Sequence, residues 1–263
     1  MSIIKKANLC IPSCGRPHKL RNLIESIMEE DWSNINSVLI VNTTPSHQVD
    51  ILDEYKALCE EFDLSSIYIP WAGPSEARLK GNEYLSANMP SEYIMFLDDD
   101  LSFTNNNLTA MLSFLNNNQH VKLCSATWVD HRNGEKSDRP IGYKYIKSSN
   151  GSESKVHKFP LAKKHFNSGY VFVDDAQASI LARSSLFEYL NFDPEYEFFM
   201  ELFDFFYNLH INNVACAVLL DVVFDHFPGD YQTGSQKRNA NIKRNKAIDY
   251  FKSKWGITPH SLA

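Results

Sequence analysis

Three adjacent carboxylates follow an apolar run in the segment YIMFLDDDLSF, which covers residues 93–103. Asp98, Asp99 and Asp100 repel one another unless a counter-charge lies between them. Two carboxylates one residue apart at a strand end direct oxygens to a shared position. Mg²⁺ and Mn²⁺ prefer such oxygen ligands and complete their shells with substrate phosphates. The segment indicates either a cation and phosphate site or a turn in which Asp100 caps the following helix.

The elements before this triplet alternate between strand-like and helix-like patterns. Apolar residues at Leu20, Leu23, Ile24 and Ile27 have the spacing of one helical face. The same reasoning predicts strands over 8–12, 37–41, 66–70 and 93–97, and helices over 16–29, around 51–58 and over 75–88. Buried strands separated by amphipathic helices favour an α/β fold with a mostly parallel central sheet flanked by helices. Ligands bind at the carboxyl ends of such strands, which is where the aspartates lie.

The second half of the chain is less regular and predicts a small antiparallel portion of the sheet. We expect a helix over 108–116, a strand over 121–129 and an irregular or mobile polar segment over 130–158. Order returns in 169–190, followed by a buried aromatic helix over 198–210, a strand over 214–226 and a basic helical tail over 236–256. The tail has three interpretations: it folds over a diphosphate, binds an anionic surface, or forms a solvated helix face.

Composition limits the function classes. The 263 residues are 43% hydrophobic and carry a formal net charge of −6, which argues against a surface built throughout for nucleic acid. No uninterrupted apolar stretch reaches the length of a membrane span. We therefore predict a soluble, cytoplasmic protein, with peripheral association at a membrane left open.

The order of the motifs resembles glycosyltransferase family 2, whose members have the A-type (GT-A) nucleotide-diphospho-sugar-binding fold. The Asp-x-Asp signature of that family matches Asp98 and Asp100. The other matches are a Pro-x-x-x-Arg loop at Pro12 and Arg16, an Ala-Arg-x-x-Gly segment at Ala77–Gly81, an acidic helix start at Glu201–Phe205, a strand ending at His226, and a final segment at Phe251–Gly256.

The resemblance implies a Rossmann-like GT-A domain over residues 1–263. Its nucleotide-binding half is 1–103, its acceptor-binding half is 104–230, and a basic helical tail covers 231–263. The implied reaction is metal-dependent, inverting transfer of a sugar from a nucleotide-diphospho-sugar, with UDP-sugar favoured, to a hydroxyl of a glycan, glycolipid or other acceptor. The implied cofactor is Mn²⁺ or Mg²⁺.

The resemblance also assigns roles to individual residues. Arg16 and Arg78 would hold the diphosphate through bidentate contacts, and Trp71 either stacks on a ring of the donor or packs structurally. The full set is as follows: donor binding by Pro12, Ser13, Arg16, Asn42, Thr43, Trp71, Arg78, Asp98 and Asp99; metal binding by Asp98, Asp100 and His226; catalysis by Glu201 or Asp204; and acceptor contacts from Asp174 and Asp175.

Two departures from the family pattern affect these roles. The second strand ends in VNTTPS, where relatives have an acidic residue for the base, so neutral Asn42 or Thr43 would substitute. Leu202 occupies the position of a catalytic aspartate, which moves the base role to Glu201 or Asp204. Acidic residues at a helix start also interact well with the helix dipole without any catalytic role.

Two other functions remain open from the sequence. A nucleotidyltransferase shares a parallel sheet and metal-binding aspartates, but it usually has a glycine-rich loop, and SCGRPHK contains one glycine. A catalytically inert nucleotide-sugar-binding protein is consistent with the neutral residues at Asn42 and Leu202.

Overall fold

The alternating strands and helices of the first half are present in the computed structural model, which describes residues 6–104, 106–150, 153–166, 168–229 and 234–261. Buried apolar side chains form the predicted faces; in the first helix these include Leu20, Leu23, Ile24 and Ile27. The elements are β1 (Ala7–Ser13), α1 (Pro17–Met28), β2 (Ile35–Asn42), α2 (Val49–Glu61), β3 (Ser65–Tyr68), α3 (Pro74–Asn88) and β4 (Tyr93–Phe96).

These four strands are parallel and lie in the order β3-β2-β1-β4. β1 is central and almost wholly buried, because helices cover both faces of the sheet. Ser13 at the end of β1 pairs with Asn42 at the end of β2, and Cys10 pairs with Phe96 of β4. The register therefore brings the loops after β1, β2 and β4 to one edge of the sheet.

The second half extends this sheet with strands of both directions. β11 (Ile180–Arg183) is antiparallel to β4 and to β6 (Leu123–Arg132), β12 (Cys216–His226) is parallel to β6, and β10 (Tyr170–Val173) is antiparallel at the far edge. This confirms the predicted mixed α/β sheet with an antiparallel portion. The elements are β5 (Leu101–Ser102), α4 (Asn107–Asn117), β6 (Leu123–Arg132), β7 (Glu135–Asp138), β8 (Gly142–Asn150), β9 (Glu153–Leu161), β10 (Tyr170–Val173), β11 (Ile180–Arg183), α5 (Glu201–Ile211), β12 (Cys216–His226), α6 (Gly234–Trp255) and β13 (Thr258–Ser261).

The prediction of an irregular segment over 130–158 is wrong. β6 and β7 form one hairpin, β8 and β9 form another, and β13 adds to β9 in parallel to complete a second, three-stranded sheet. Val156 of β9 is fully buried in a cluster with Phe203 of α5 and Phe251 of α6. Apolar packing of one face explains why this polar segment is ordered.

Two boundaries also differ from the sequence-based expectation. The aromatic helix begins at Glu201 rather than residue 198, because Phe199 and Met200 have positive φ angles of 63° and 62° that helical backbone excludes. The basic tail is helical, as predicted, and α6 buries Ala247 and Phe251 on its packed face. The predictions at residues 151–152, 231–233 and 262–263 lie outside the described residues. In the described part of the chain, none of the helices combines the length and apolarity that crossing a bilayer requires.

Candidate active site

The acidic triplet directly follows β4 and places its three carboxylates in different environments. The Asp98 side chain is 32% exposed, whereas those of Asp99 and Asp100 are 1% and 10% exposed. The chain turns immediately after these residues into β5, which pairs with β12. One solvent-facing carboxylate and two nearly buried ones result, and the buried pair needs compensating charge.

Arg16 provides that charge for the buried pair. It follows Gly15, whose φ of +67° is readily adopted only by glycine. Its guanidinium contacts the Asp99 carboxylate, and Nη1 lies 3.1 Å from Oδ2 of Asp100. Asp99 also accepts a 2.5 Å hydrogen bond from Ser13 Oγ. The loop after β1 therefore fixes two members of the triplet.

The two buried carboxylates ionise differently. Burial raises the pKa of Asp99 to about 7, against the opposing charge of Arg16. Burial also acts to raise the pKa of Asp100, but its interaction with His226 and the charge of Arg16 outweigh it and lower that pKa below its usual value. Asp100 is therefore the carboxylate that stays ionised across the neutral range.

Arg78 links Asp98 to the start of α5. Its Nη2 donates to Oδ1 of Asp98 at 2.6 Å, and its Nη1 lies 3.8 Å from Oε1 of Glu201. The guanidinium is buried and stands over the Phe192 ring, with 5.7 Å between the cationic carbon and the ring centroid. Arg78 Nε is buried and has no hydrogen-bond partner among the described residues. This cation retains unused donor capacity beside the cleft.

Glu201 is the first residue of α5, and its side chain is 15% exposed. Burial raises the pKa of its carboxyl, and the charge of Arg78 opposes that rise. A carboxylate with a raised pKa accepts a proton more readily near neutral pH. Glu201 therefore has the environment that a general base requires.

His226 ends β12 and lies beside the triplet. Its Nε2 is 3.5 Å from Oδ1 of Asp100, and its Nδ1 is 2.7 Å from Oδ1 of Asp130. The ring is buried and packs on Trp128, with 4.7 Å between centroids. No cluster of three or more histidine, cysteine, aspartate or glutamate side chains suited to a metal ion occurs in the described ranges. Two groups, the Asp100 carboxylate and the His226 imidazole, nevertheless face each other.

Arg16, Arg78, Asp98, Asp99 and Glu201 border a cleft of about 630 Å³, and Asp100 and His226 do not line it. Glu197 and Lys243 also line it, and 3.4 Å separates their charged atoms. Most of the predicted site residues are brought together in its wall, namely Pro12, Ser13, Arg16, Thr43, Trp71, Arg78, Asp98, Asp99 and Glu201. The cleft therefore joins the ends of β1, β2 and β4 to the start of α5.

The chain matches a family of known proteins along most of its length. The sequence profile described as "Glycosyl transferase family 2" matches residues 9–188, well over half of the 263 residues. The chain belongs to glycosyl transferase family 2. The predicted family is thus confirmed. No sequence among the curated proteins matches the chain.

Two solved structures show the GT-A-type fold of this family 2 chain. The crystal structure of TarS from S. aureus has a TM-score of 0.56 and 14% identity, covering 85% of this chain and 37% of that one. The crystal structure of GalNAc-T7 with UDP, GalNAc and Mn²⁺ has a TM-score of 0.66 and 13% identity, covering 96% of this chain and 50% of that one. The chain thus spans half or less of either protein, and the likeness establishes the fold.

The Ala77–Gly81 segment of the family 2 chain has a structural reason for its glycine. A Cβ at Gly81 would lie 2.3 Å from Cys10 Sγ, so glycine allows α3 to approach β1 closely. This approach places Arg78, one turn earlier on the helix, under the acidic triplet. The motif therefore positions the arginine through packing.

Asp204, the other candidate base, does not line the cleft. Its carboxylate is buried and accepts hydrogen bonds from Tyr196 Oη at 2.9 Å, Trp255 Nε1 at 2.7 Å and Lys254 Nζ at 2.8 Å. Both oxygens are therefore engaged, and the contacts join α5 to α6. The structure gives Asp204 a place in the scaffold rather than beside Arg78.

The predicted acceptor residues Asp174 and Asp175 also lie outside the cleft wall. Asp174 accepts from the Tyr145 backbone N–H at 2.8 Å, and Asp175 accepts from Tyr145 Oη at 2.9 Å and pairs with Lys158. Both aspartates anchor the β8–β9 hairpin to the main sheet. Their acceptor role stays a prediction.

The residues proposed to bind the nucleotide base line different cavities. Asn42 Oδ1 accepts from the Thr44 backbone N–H at 2.9 Å, and Asn42 lines a separate cavity near α2. Thr43 lines the cleft, and so does Trp71, which is 65% exposed and packs on His47 with 5.4 Å between ring centroids. Thr43 and Trp71 are thus the neutral and aromatic groups available there.

Sequence reasoning missed Asp130, the partner of His226. It lies at the end of β6, inside the segment that was expected to be irregular. The alternation of apolar residues through Trp128 could have extended the predicted strand by these few residues. The omission of Asp130 therefore follows from the error about the segment.

We expect Asp204→Asn to lower the free energy of unfolding by about 3 kcal/mol, because it removes a buried charge from a hydrogen-bonded ion pair. Urea unfolding measures this. The control is Asp249→Asn on the exposed face of α6, which should change stability by less than about 0.5 kcal/mol. An Asp204→Asn protein as stable as wild type would contradict the scaffold role.

Proposed function

We propose that this protein is a metal-dependent, inverting glycosyltransferase that moves a sugar from a nucleotide-diphospho-sugar, with UDP-sugar favoured, to an acceptor hydroxyl. Family membership supports nucleotide-sugar glycosyl transfer. The observation that carries the proposal is the placement of two arginines, Asp98 and Glu201 around one cleft. This arrangement offers cations for a diphosphate and a carboxylate for a hydroxyl proton within the same wall.

The donor would lie across the ends of β1 and β2 and the start of α3. Arg78 lines this cleft, and its guanidinium is a suitable partner for a phosphate oxygen. Arg16 borders the same space and is already drawn toward the carboxylates. Thr43 and Trp71 are suited to the base, by hydrogen bonding and by stacking. UDP is favoured as the nucleotide because the GalNAc-T7 structure of the same fold contains UDP.

The residues beside the triplet fit a divalent cation. Asp100 stays ionised, and His226 directs Nε2 toward it while its other nitrogen contacts Asp130. An oxygen and an imidazole nitrogen suit Mn²⁺ or Mg²⁺, with the remaining positions open to phosphate oxygens, whereas Asp98, the third predicted ligand, pairs with Arg78 in this structure. A bound divalent ion supplies Lewis-acid stabilisation of the charge that develops on the departing diphosphate. Mn²⁺ is present in the GalNAc-T7 structure.

Glu201 would accept the proton of the attacking hydroxyl. Arg78 contacts both Asp98 and Glu201, so the proposed base lies close to the acidic triplet. Direct displacement by an acceptor activated there inverts the anomeric centre. Glu197 and Lys243 line the same cleft, and a glycan, glycolipid or other hydroxyl-bearing acceptor is the expected partner.

The donor class is tested by incubating the protein with UDP-, GDP- and dTDP-sugars in the presence of Mn²⁺. We expect slow hydrolysis of one donor, lost in Asp100→Ala together with metal-dependent donor binding. Asp249→Asn, on the exposed face of α6, is the control and should behave as wild type. Equal donor affinity in wild type and Asp100→Ala would refute the metal assignment.

Two other outcomes of this experiment would favour the alternatives. Donor binding without turnover, even with varied acceptors, indicates a nucleotide-sugar-binding protein. When the protein is incubated with a nucleoside triphosphate and a sugar phosphate instead, release of pyrophosphate indicates a nucleotidyltransferase. Either result would contradict glycosyl transfer.

The pH dependence of kcat tests whether Glu201 is the general base. Because burial raises the pKa of Glu201, the carboxyl is protonated at low pH, and we expect kcat to fall tenfold per pH unit below that pKa. Glu201→Gln should lower kcat by about 10²- to 10⁴-fold, remove this acid limb and leave donor affinity within about twofold. Glu197→Gln in the same cleft is the control. An unchanged acid limb in Glu201→Gln would exclude this base.

A further inference from the structure

His226 is held from its far side by Asp130. The distance from Nδ1 to Oδ1 of Asp130 is 2.7 Å, and both residues are buried. A ring nitrogen that donates its hydrogen to a carboxylate leaves the lone pair on the other nitrogen. Nε2 is therefore the nitrogen available to a ligand, and it faces Asp100 at 3.5 Å.

Asp130 is itself fixed by the β6–β7 hairpin. Arg139 Nε lies 2.7 Å from Oδ1, and Arg132 Nη2 lies 3.4 Å from Oδ2. The Arg139 guanidinium stands 5.2 Å from the centroid of the Trp128 ring, which also packs on His226. Two cations and one indole therefore restrict both the carboxylate and the imidazole to one orientation.

A second histidine–carboxylate pair, in the same strands β6 and β12, serves as a comparison. His131 Nε2 lies 2.6 Å from Oδ1 of Asp225, one residue along from the Asp130–His226 pair. Its side chains are 20% and 28% exposed, whereas those of the inner pair are below 10%. His131 packs on Phe227, and no second carboxylate contact is recorded for it among the described residues. Of these two pairs, the inner one contacts the acidic triplet, through His226 and Asp100.

We propose that Asp130 is a positioning residue that sets the affinity of the Asp100–His226 site for a divalent cation. It fixes the ring so that Nε2 faces the Asp100 carboxylate, and it makes the imidazole a stronger ligand. The proposal rests on the proposed function, because it requires the cation at Asp100. It assigns a role in cation binding to the β6–β7 hairpin, which does not line the cleft.

The test measures Mn²⁺ binding to the full chain by electron paramagnetic resonance in the presence of UDP. We expect Asp130→Asn to weaken Mn²⁺ binding about 10- to 100-fold. In wild type, pulsed measurements should detect ¹⁴N coupling from a coordinated imidazole, and this coupling should be lost or reduced in Asp130→Asn. Asp225→Asn is the matched control and should retain both affinity and coupling. Asp130→Glu should recover part of the affinity.

The outcomes separate this proposal from the function on which it rests. Wild-type protein that binds UDP but no Mn²⁺ overturns the cation and the role of Asp130 together. Mn²⁺ binding with unchanged affinity and ¹⁴N coupling in Asp130→Asn overturns the role of Asp130 alone. Equal losses in Asp130→Asn and Asp225→Asn, with urea unfolding showing both proteins equally destabilised, would assign the effect to the hairpin fold and overturn the proposal.

Discussion

The structure depends on balancing three consecutive carboxylates at the end of β4. Charges at such short range repel strongly in a partly buried site, so each carboxylate requires a nearby cation or donor. Arg16 comes from the loop after β1, Arg78 from α3 and His226 from the end of β12. Each belongs to a different element, and the acidic triplet therefore dictates where the ends of three elements converge. The cleft lies between two of them, the loop after β1 and the start of α3.

A second set of ion pairs joins the small sheet and α6 to the main sheet. Lys158 of β9 pairs with Asp175, and Lys254 of α6 bridges Asp193 and Asp204. The basic residues of this part of the chain are thus used partly as internal counter-charges in an acidic protein. Asp175 and Asp204, which the sequence made candidates for acceptor binding and catalysis, therefore make structural contacts. Lys243 of α6 lines the cleft.

The strand and helix pattern was sufficient to predict the parallel half of the sheet, and the resemblance to family 2 singled out Arg16, Arg78 and His226, which contact the triplet in the structure. It could not distinguish Glu201 from Asp204. They lie three residues apart on one helix, and only packing decides that the first faces Arg78 and the second faces α6. The third strand of the small sheet was missed because its pairing is non-local: Lys155 of β9 pairs with Thr258 of β13. Local periodicity carries no signal for such pairing.

The proposed function depends on Asp100 and His226 holding a divalent cation beside the donor diphosphate. Anomalous scattering from crystals grown with UDP and Mn²⁺ measures this directly. We expect one manganese peak about 2 Å from both an Asp100 carboxylate oxygen and His226 Nε2, in contact with the diphosphate. UDP bound in the cleft with no manganese peak at these two residues, and with Asp100 still paired only with Arg16, would contradict it.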